Sequence, residues 1–431
     1  MNALPDALVE VPYGPGLIEI HLPPANLAGV VRPDSVKTRD PDEVLAQALD
    51  FPVDGLTLDE YLGPASFVLV IINDATRPTP TARMLDHVLP RLKGRRHQIL
   101  VATGTHRAPT PEELSRLLGR HIQYLGPRLM VHDCVREGDL VPVGRTSRGT
   151  ELVFHRTAVE AERVVVLGSV EPHYYAGYTG GRKGLMPGVA GRQSIEMNHA
   201  FALDPGAKPL ALKGNPCHED MEEAVRLLRP GGVYGLNVVL SRRKGIYVAA
   251  AGNLSASFLA AAASADDVFA ALVREQAEVV VSVATPPLDN DLYQMQKVIE
   301  HGRLALKKGG ILIAVSPCRE GLGPSHYLRR LHAASRPEDV LSLAAGTYSL
   351  GDHKAVKIAE VKLNGDLWAV TDLQPRELEK AFITPCSDLQ QAVDKALKIK
   401  GPRARALFLP NGSLTVPVMD RRAQPHVHLD T

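Results

Sequence analysis

Two histidines, His106 in "ATGTHRAP" and His173 in "EPHYYAG", stand where a proton could be moved near neutral pH. An imidazole with an ordinary pKa of ~6.5 is the natural group for that role. A pair on separate loops suits two-base chemistry, in which opposite faces of one substrate carbon are served by different groups. Each has a plainer reading too: His106 as a hydrogen-bonded loop residue, His173 as a ring packed among the tyrosines that follow it. Arg77, in "NDATRPTP", offers a planar fork matched to carboxylate or phosphate. Asp74 in the same stretch could hold that fork or a ligand hydroxyl, or the two could simply brace a turn. Gln294 and Lys297, in "LYQMQK", are three apart and share one side if the segment opens a helix. Lys297 could then complement Arg77 around a carboxylate, or belong to a solvated helix start.

Lys183 lies in "GYTGGRKG". The stretch resembles a phosphate-binding P-loop but fails its pattern, because Gly184 replaces the Ser or Thr that would bind magnesium. A lysine enclosed by glycines reads either as a phosphate contact or as a desolvated nucleophile that anchors a cofactor covalently. His199, in "EMNHAF", could ligate a metal as neutral imidazole. No HExxH or Cys/His cluster surrounds it, and a protein-only zinc site needs three or four ligands. One histidine suffices only where a cofactor brings the other donors.

These residues need elements to position them. The runs at 67–72, 98–103, 163–169, 278–284 and 310–316 are continuous, apolar and β-branched, the pattern of strands buried on both faces of a parallel sheet. Helical patterns alternate with them. Thr110, Pro111 and Glu113 predict a capping box, and Ser387 with Gln390 predicts a second one before an apolar face of Leu389, Val393 and Leu397. The chain is therefore α/β, with largely parallel sheets. The chemistry-bearing loops begin at 73, 104, 170 and 286, each at the carboxyl end of a predicted strand, which is the ligand-binding edge of open α/β sheets.

Its 431 residues exceed one ordinary core. The Ala-rich stretch 254–276 marks a boundary, with domains expected at 1–272 and 273–431. A formal net charge of +1 gives no field for nucleic acid or membrane. The amino-terminal stretch does not read as a secretory signal, and no apolar run approaches a membrane span. Cys134, Cys217, Cys318 and Cys386 are far apart and form no CxxC pair, which suits reduced thiols and a cytoplasmic address. The final "RRAQPHVHLDT" reads as a tail or late interface element.

The segments "DATRPTPT", "ATGTHRAPTPEEL", "EPHYYAGYTGGRKGLMPGVAG", the Asn198–His199 pair and "DLYQMQK" occur in one order. Together they resemble the nickel-pincer lactate racemase family, over most of the chain and most specifically between residues 73 and 300. The resemblance implies two α/β domains with an interdomain active-site cleft that the carboxy-terminal domain closes. It implies racemisation or epimerisation of a 2-hydroxy acid by reversible hydride transfer to a nickel-pincer nucleotide. That cofactor is the nickel complex of pyridinium-3,5-bisthiocarboxylate mononucleotide. By the same resemblance Lys183 tethers it, His199 ligates the nickel, and His106 and His173 are the paired acid/base residues. Arg77 and Lys297 would orient the substrate carboxylate with Gln294 and Tyr293 beside them. Asp74, Thr76, Gly104 and Thr105 would contact the cofactor. Loading would require cofactor-biosynthesis proteins as partners, with neither nucleic acid nor membrane involved. Tyr174, Tyr175 and Tyr293 bear on which acid is taken. Read without the resemblance, the same residues leave open a phosphate-anchored dehydratase or transferase lacking nickel, and a non-catalytic small-acid or nucleotide-binding protein.

Overall fold

The computed structural model describes residues 5–33, 35–286, 288–323, 328–344 and 348–420. The tail expected at 421–431 lies outside them. The chain forms two compact units, residues 35–268 and residues 1–34 joined with 269–431.

The first unit is built on a six-stranded sheet. Its order is Ile246–Asn253, Tyr234–Leu240, Arg163–Ser169, Phe67–Asn73, Arg96–Ala102 and Leu129–Val131. All neighbours run parallel except Ile246–Asn253, which returns antiparallel to Tyr234–Leu240. The central Phe67–Asn73 strand is buried through its first six residues, as its unbroken apolar run demands. On one face, Val68, Val70 and Ile72 join Leu45 and Leu49 of helix Pro41–Asp50 and Met84 and Leu85 of helix Thr81–Val88. On the other, Leu69 and Ile71 join Ile195 of helix Arg192–Ala200 and Met221 and Val225 of helix Pro216–Leu228. Each such side chain contributes about 1.5–3 kcal/mol by leaving water, which fixes the sheet between two helical layers.

The second unit holds a six-stranded parallel sheet. Its order is Thr384–Cys386, Asp366–Val370, Leu306–Val315, Ala277–Val283, Ala406–Leu409 and Leu27–Val30. The amino-terminal hairpin Ala7–Tyr13/Gly16–Leu22 buries Val9, Val11, Ile20 and Leu22 in the same core as Val279, Val281 and Phe408. Residues 1–34 thus belong with the carboxy-terminal unit, whereas the division expected at 272/273 assigned them to the first. The reason is edge pairing: Leu27–Val30 finds its partner in Ala406–Leu409, a connection no local pattern records. The observed change at 268/269 falls at the last residue of the Ala-rich helix Leu254–Phe269.

Helix starts show one agreement and one shift. At Thr110 the hydroxyl accepts from the Glu113 N–H at 3.2 Å and Glu113 accepts from the Thr110 N–H at 2.8 Å, completing the box before helix Pro111–Leu118. Before helix Leu389–Lys400 the cap is Asp388 rather than Ser387, accepting from the Gln391 N–H at 2.8 Å. The stronger carboxylate acceptor moves the start by one residue, while Leu389, Val393 and Leu397 remain its buried face. Among the described residues, no helix is long and apolar enough to cross a membrane.

Candidate active site

The loops after Phe67–Asn73, Arg96–Ala102 and Arg163–Ser169 leave the carboxyl ends of three neighbouring parallel strands in one sheet. The fourth chemistry-bearing loop follows Ala277–Val283 and therefore lies at the edge of the other unit's sheet. The single four-loop edge read from the sequence is thus divided between two sheets.

Asp74 and His106 meet across the first two loops. The Asp74 carboxylate Oδ2 stands 2.6 Å from His106 Nδ1, and its Oδ1 accepts from the Thr76 N–H and hydroxyl at 3.1 and 2.7 Å. Burial alone would raise the Asp74 carboxyl. The hydrogen bond and charge of His106, the Thr76 hydroxyl and Arg77 outweigh it and hold the group below the usual carboxylate value. An ionised Asp74 fixes the tautomer of neutral His106: Nδ1 carries the proton and Nε2 keeps its lone pair. The His106 side chain is 48% exposed, so that lone pair is available to a ligand. Gly104, at φ +55°, donates its N–H to the Gly188 carbonyl at 3.0 Å, tying this loop to the one that carries Lys183. Thr105 and Arg77 are half-buried beside them.

A carboxyl held below its ordinary pKa stabilises the fold at neutral pH, and that contribution is lost as pH falls through its folded value. Asp74→Asn is expected to lower the unfolding free energy by about 1–3 kcal/mol at pH 7. It should also flatten the loss of stability on acidification below about pH 4. Urea titrations of both proteins at pH 7 and at about pH 2 measure this; an equal difference at the two pH values would contradict it.

His173 belongs to the short strand Pro172–His173, paired with Gly177–Tyr178. Its Nδ1 accepts from the Ala176 N–H at 3.3 Å, so neutral His173 carries its proton on Nε2. The ring stacks on Tyr174 at 5.1 Å and meets Tyr175 edge-on at 4.4 Å. Tyr175 in turn faces the His199 ring at 5.2 Å and lies 5.3 Å below the Lys183 ammonium. His173, Lys183 and His199 are therefore gathered around one aromatic ring.

The glycine-rich segment shows why it resembles a phosphate loop without being one. Gly181 donates its N–H to Asn237 Oδ1 at 2.9 Å. Arg182 turns inward, fully buried, donating to the Ala176 carbonyl at 2.6 Å and stacking on Phe258 at 4.2 Å. Burial pushes its guanidinium down to about 10, still protonated at neutral pH. Only Lys183 of the two cations is half-exposed. A methyl at Gly181 would lie 2.6 Å from Phe258 Cβ at a φ of +52°. Gly181→Ala is accordingly expected to cost roughly 2–4 kcal/mol of stability in urea titration, and an effect under about 1 kcal/mol would contradict the packing role.

His199 sits in the last turn of helix Arg192–Ala200, 8% exposed. Burial first, then the charge of Lys183, push its pKa down to about 3, so it is a neutral imidazole with donor chemistry suited to a soft or borderline metal. Among the described residues no group of three or more His, Cys, Asp or Glu is placed to hold a metal ion. The neighbouring Asn198 serves the packing instead, donating to buried Asp220 at 2.8 Å, which also accepts from Thr146 and Thr150 at 2.6 and 2.9 Å. His132 likewise anchors the lysine loop, its Nε2 meeting the Ala190 carbonyl at 2.9 Å, with burial pushing the ring down to about 4. Asn198 and Arg182 enter the sequence reading only as the neighbours of His199 and Lys183, and His132, Asn237 and Phe258 belong to no motif, because contacts such as His132 to Ala190, Gly181 to Asn237 and Arg182 to Phe258 join distant parts of the chain.

In the second unit, Asp291 caps helix Leu292–Gly302 by accepting from the Gln294 N–H at 2.6 Å. Tyr293, Gln294 and Lys297 occupy its first turns and are half-buried.

The chain matches the model of the lactate racemase N-terminal domain over residues 13–209 and that of the C-terminal domain over 272–418. It is 29% identical to the lactate racemase of Thermoanaerobacterium thermosaccharolyticum over 420 residues, 94% of this chain and 98% of that protein. With the lactate racemase of Lactiplantibacillus plantarum it shares 28% over 426 residues, again 94% and 98%. The solved lactate racemase apoprotein from T. thermosaccharolyticum superimposes with a TM-score of 0.89 at 27% identity, covering 96% of this chain and all of that one. A Thermotoga maritima crystal structure shares the fold at a TM-score of 0.67 and 17% identity, covering 89% of this chain and all of its own. With both domain models matched in order across most of its length, the chain belongs to the lactate racemase family and, as an enzyme, to the isomerases.

Proposed function

We propose that the chain racemises or epimerises a 2-hydroxy acid, lactate or a larger one, with a nickel-pincer nucleotide tethered at Lys183. The observation that carries this reading is the opposed wiring of the two histidines. Asp74 leaves His106 with a bare Nε2, a base, whereas the Ala176 N–H leaves His173 with a protonated Nε2, an acid. One ring can take the substrate's hydroxyl proton while the other returns a proton to oxygen on the opposite face. Their roles exchange for the opposite enantiomer.

The residues present fit the cofactor. A buried neutral imidazole at His199 suits a nickel ion that arrives with its other donors, and Lys183 stands beside it against the same tyrosine ring. When bound, the nucleotide supplies a reversible acceptor for the Cα hydride, which avoids a carbanion at a weakly acidic carbon. Asp74, Thr76, Gly104 and Thr105 are assigned to cofactor contacts. Arg77 is assigned to the substrate carboxylate, and Lys297, Gln294 and Tyr293 to substrate binding from their own unit. The inward turn of Arg182 weakens the phosphate-anchored alternative, since it removes one of two cations from that loop. We further assign a cytoplasmic address, in keeping with four free cysteines, and loading by cofactor-biosynthesis proteins.

The test is to incubate cofactor-loaded protein with single enantiomers of a panel of 2-hydroxy acids and separate the products by chiral chromatography. Appearance of the opposite configuration from at least one acid is expected. Ligand binding with no inversion across the panel would overturn the reading.

A further inference from the structure

Asn237 is a polar side chain in a place that should not hold one. Every residue of strand Tyr234–Leu240 is buried, and Asn237, at its centre, is the one amide side chain among them. A valine there would suit a strand covered on both faces and would spare the cost of taking an amide out of water. The amide is used at both ends instead. Its Oδ1 accepts from the Gly181 N–H at 2.9 Å, and its Nδ2 donates to Ser257 Oγ at 3.1 Å. Ser257, itself fully buried, donates onward to the Leu254 carbonyl at 3.2 Å. The sense of the amide follows from its partner, because a peptide N–H can be answered only by the oxygen end.

The peptide that Asn237 grips is the one joining Gly180 to Gly181. Its N–H is bound by Asn237, and its carbonyl accepts from the Lys183 N–H at 3.1 Å. One rigid peptide plane therefore connects the Asn237 side chain to the backbone of Lys183. Both flanking residues have positive φ, +78° at Gly180 and +52° at Gly181. The backbone also passes very close to the sheet: a methyl at Gly180 would lie 2.9 Å from the Ser169 carbonyl and 3.2 Å from Asn237 Oδ1. Ser257 and Phe258 are neighbours in helix Leu254–Phe269. The first holds the far end of the amide, and the second stacks on the Arg182 guanidinium.

We propose that Asn237 is a positioning residue for Lys183: by fixing the Gly180–Gly181 peptide it sets where the lysine amine stands. This rests on the reading of Lys183 as the cofactor tether. With the Gly181 N–H released, the turn is still clamped at Arg182, but the amine ranges over more positions and meets its partner less often in a reactive geometry.

The experiment follows intact mass against time under loading conditions for wild type, Asn237→Ala, Asn237→Val, Asn237→Asp and Ser257→Ala. Tm, and amide exchange of the peptide spanning Gly181, are measured on the same proteins unloaded. Asn237→Ala is expected to gain the cofactor mass about tenfold more slowly than wild type and to exchange the Gly181 amide about tenfold faster. Asn237→Val, which refills the strand position and so protects the fold, should behave alike. Asn237→Asp keeps an oxygen for the Gly181 N–H and should recover most of the attachment rate. Ser257→Ala breaks the other bond of the same amide; it should lower Tm about as far as Asn237→Ala does, yet attach cofactor at the wild-type rate. Attachment rates that simply track Tm across the variants mean a merely structural asparagine and overturn the proposal. So does wild-type attachment, or wild-type Gly181 exchange, in Asn237→Ala or Asn237→Val. A wild type that gains no mass sinks the tether reading itself, whereas a wild type that gains mass no faster than Asn237→Val sinks only this inference.

Discussion

Lys183→Ala is expected to keep its bare intact mass under loading conditions that add the mass of the nucleotide to the wild type, and to show no racemase activity above background. The fold should survive, because the turn at 181–184 is held by other atoms. The Gly181 N–H is bound by Asn237, Arg182 is clamped by the Ala176 carbonyl and Phe258, and the Lys183 carbonyl accepts from the Gly188 N–H at 3.1 Å. The ammonium itself contributes to none of these. Lys183→Arg sharpens the result: it keeps a cation over Tyr175 but offers no amine that can be acylated. Under the tether reading both variants stay unmodified, and under a phosphate-contact reading arginine retains activity. A mass increment on Lys183→Ala equal to that on wild type would remove the covalent anchor altogether.

The second large effect concerns the two histidines. Singly replacing His106 or His173 with alanine is expected to slow steady-state racemisation by on the order of 10²–10⁴, with the mass increment of the cofactor retained. Because a racemisation has an equilibrium constant of one, both directions must slow together in the steady state. Single-turnover experiments separate the residues. A variant that keeps one base should still convert one enantiomer to its 2-keto acid in a burst, and the two variants should choose opposite enantiomers. Near-normal steady-state rates in both variants would eliminate the two-base scheme, and bursts from the same enantiomer would eliminate the assignment of opposite faces.

Much of the scaffold is written locally. Runs such as "FVLVII" have no polar residue to expose, so they become strands covered on both faces, and the loops that follow them carry the site by the geometry of parallel sheets. Thr110 and Glu113 declare a helix start because both halves of the box lie within four residues. What escaped is consistently non-local. Asp74 and His106 are read separately in sequence, yet their 2.6 Å contact assigns the tautomer on which the mechanism turns. Arg182 carries no burial signal in the sequence, because its fully buried guanidinium is answered by the Ala176 carbonyl and the Phe258 ring only once the loop is folded. The placement of residues 1–34 is the largest case of the same kind, an edge strand whose partner is at the far end of the chain.

That last feature also orders synthesis. The unit of residues 35–268 is an insertion between two pieces of the other, so a ribosome delivers it whole when only residues 1–34 of its host have been made. Residues 27–30 then wait as an open β edge until residues 406–409 emerge. An unpaired edge is an invitation to the wrong neighbour. The insertion can be sound in a chain whose host unit has failed, so truncation anywhere in the last strands should yield a soluble, protease-resistant core of residues 35–268 flanked by aggregation-prone ends.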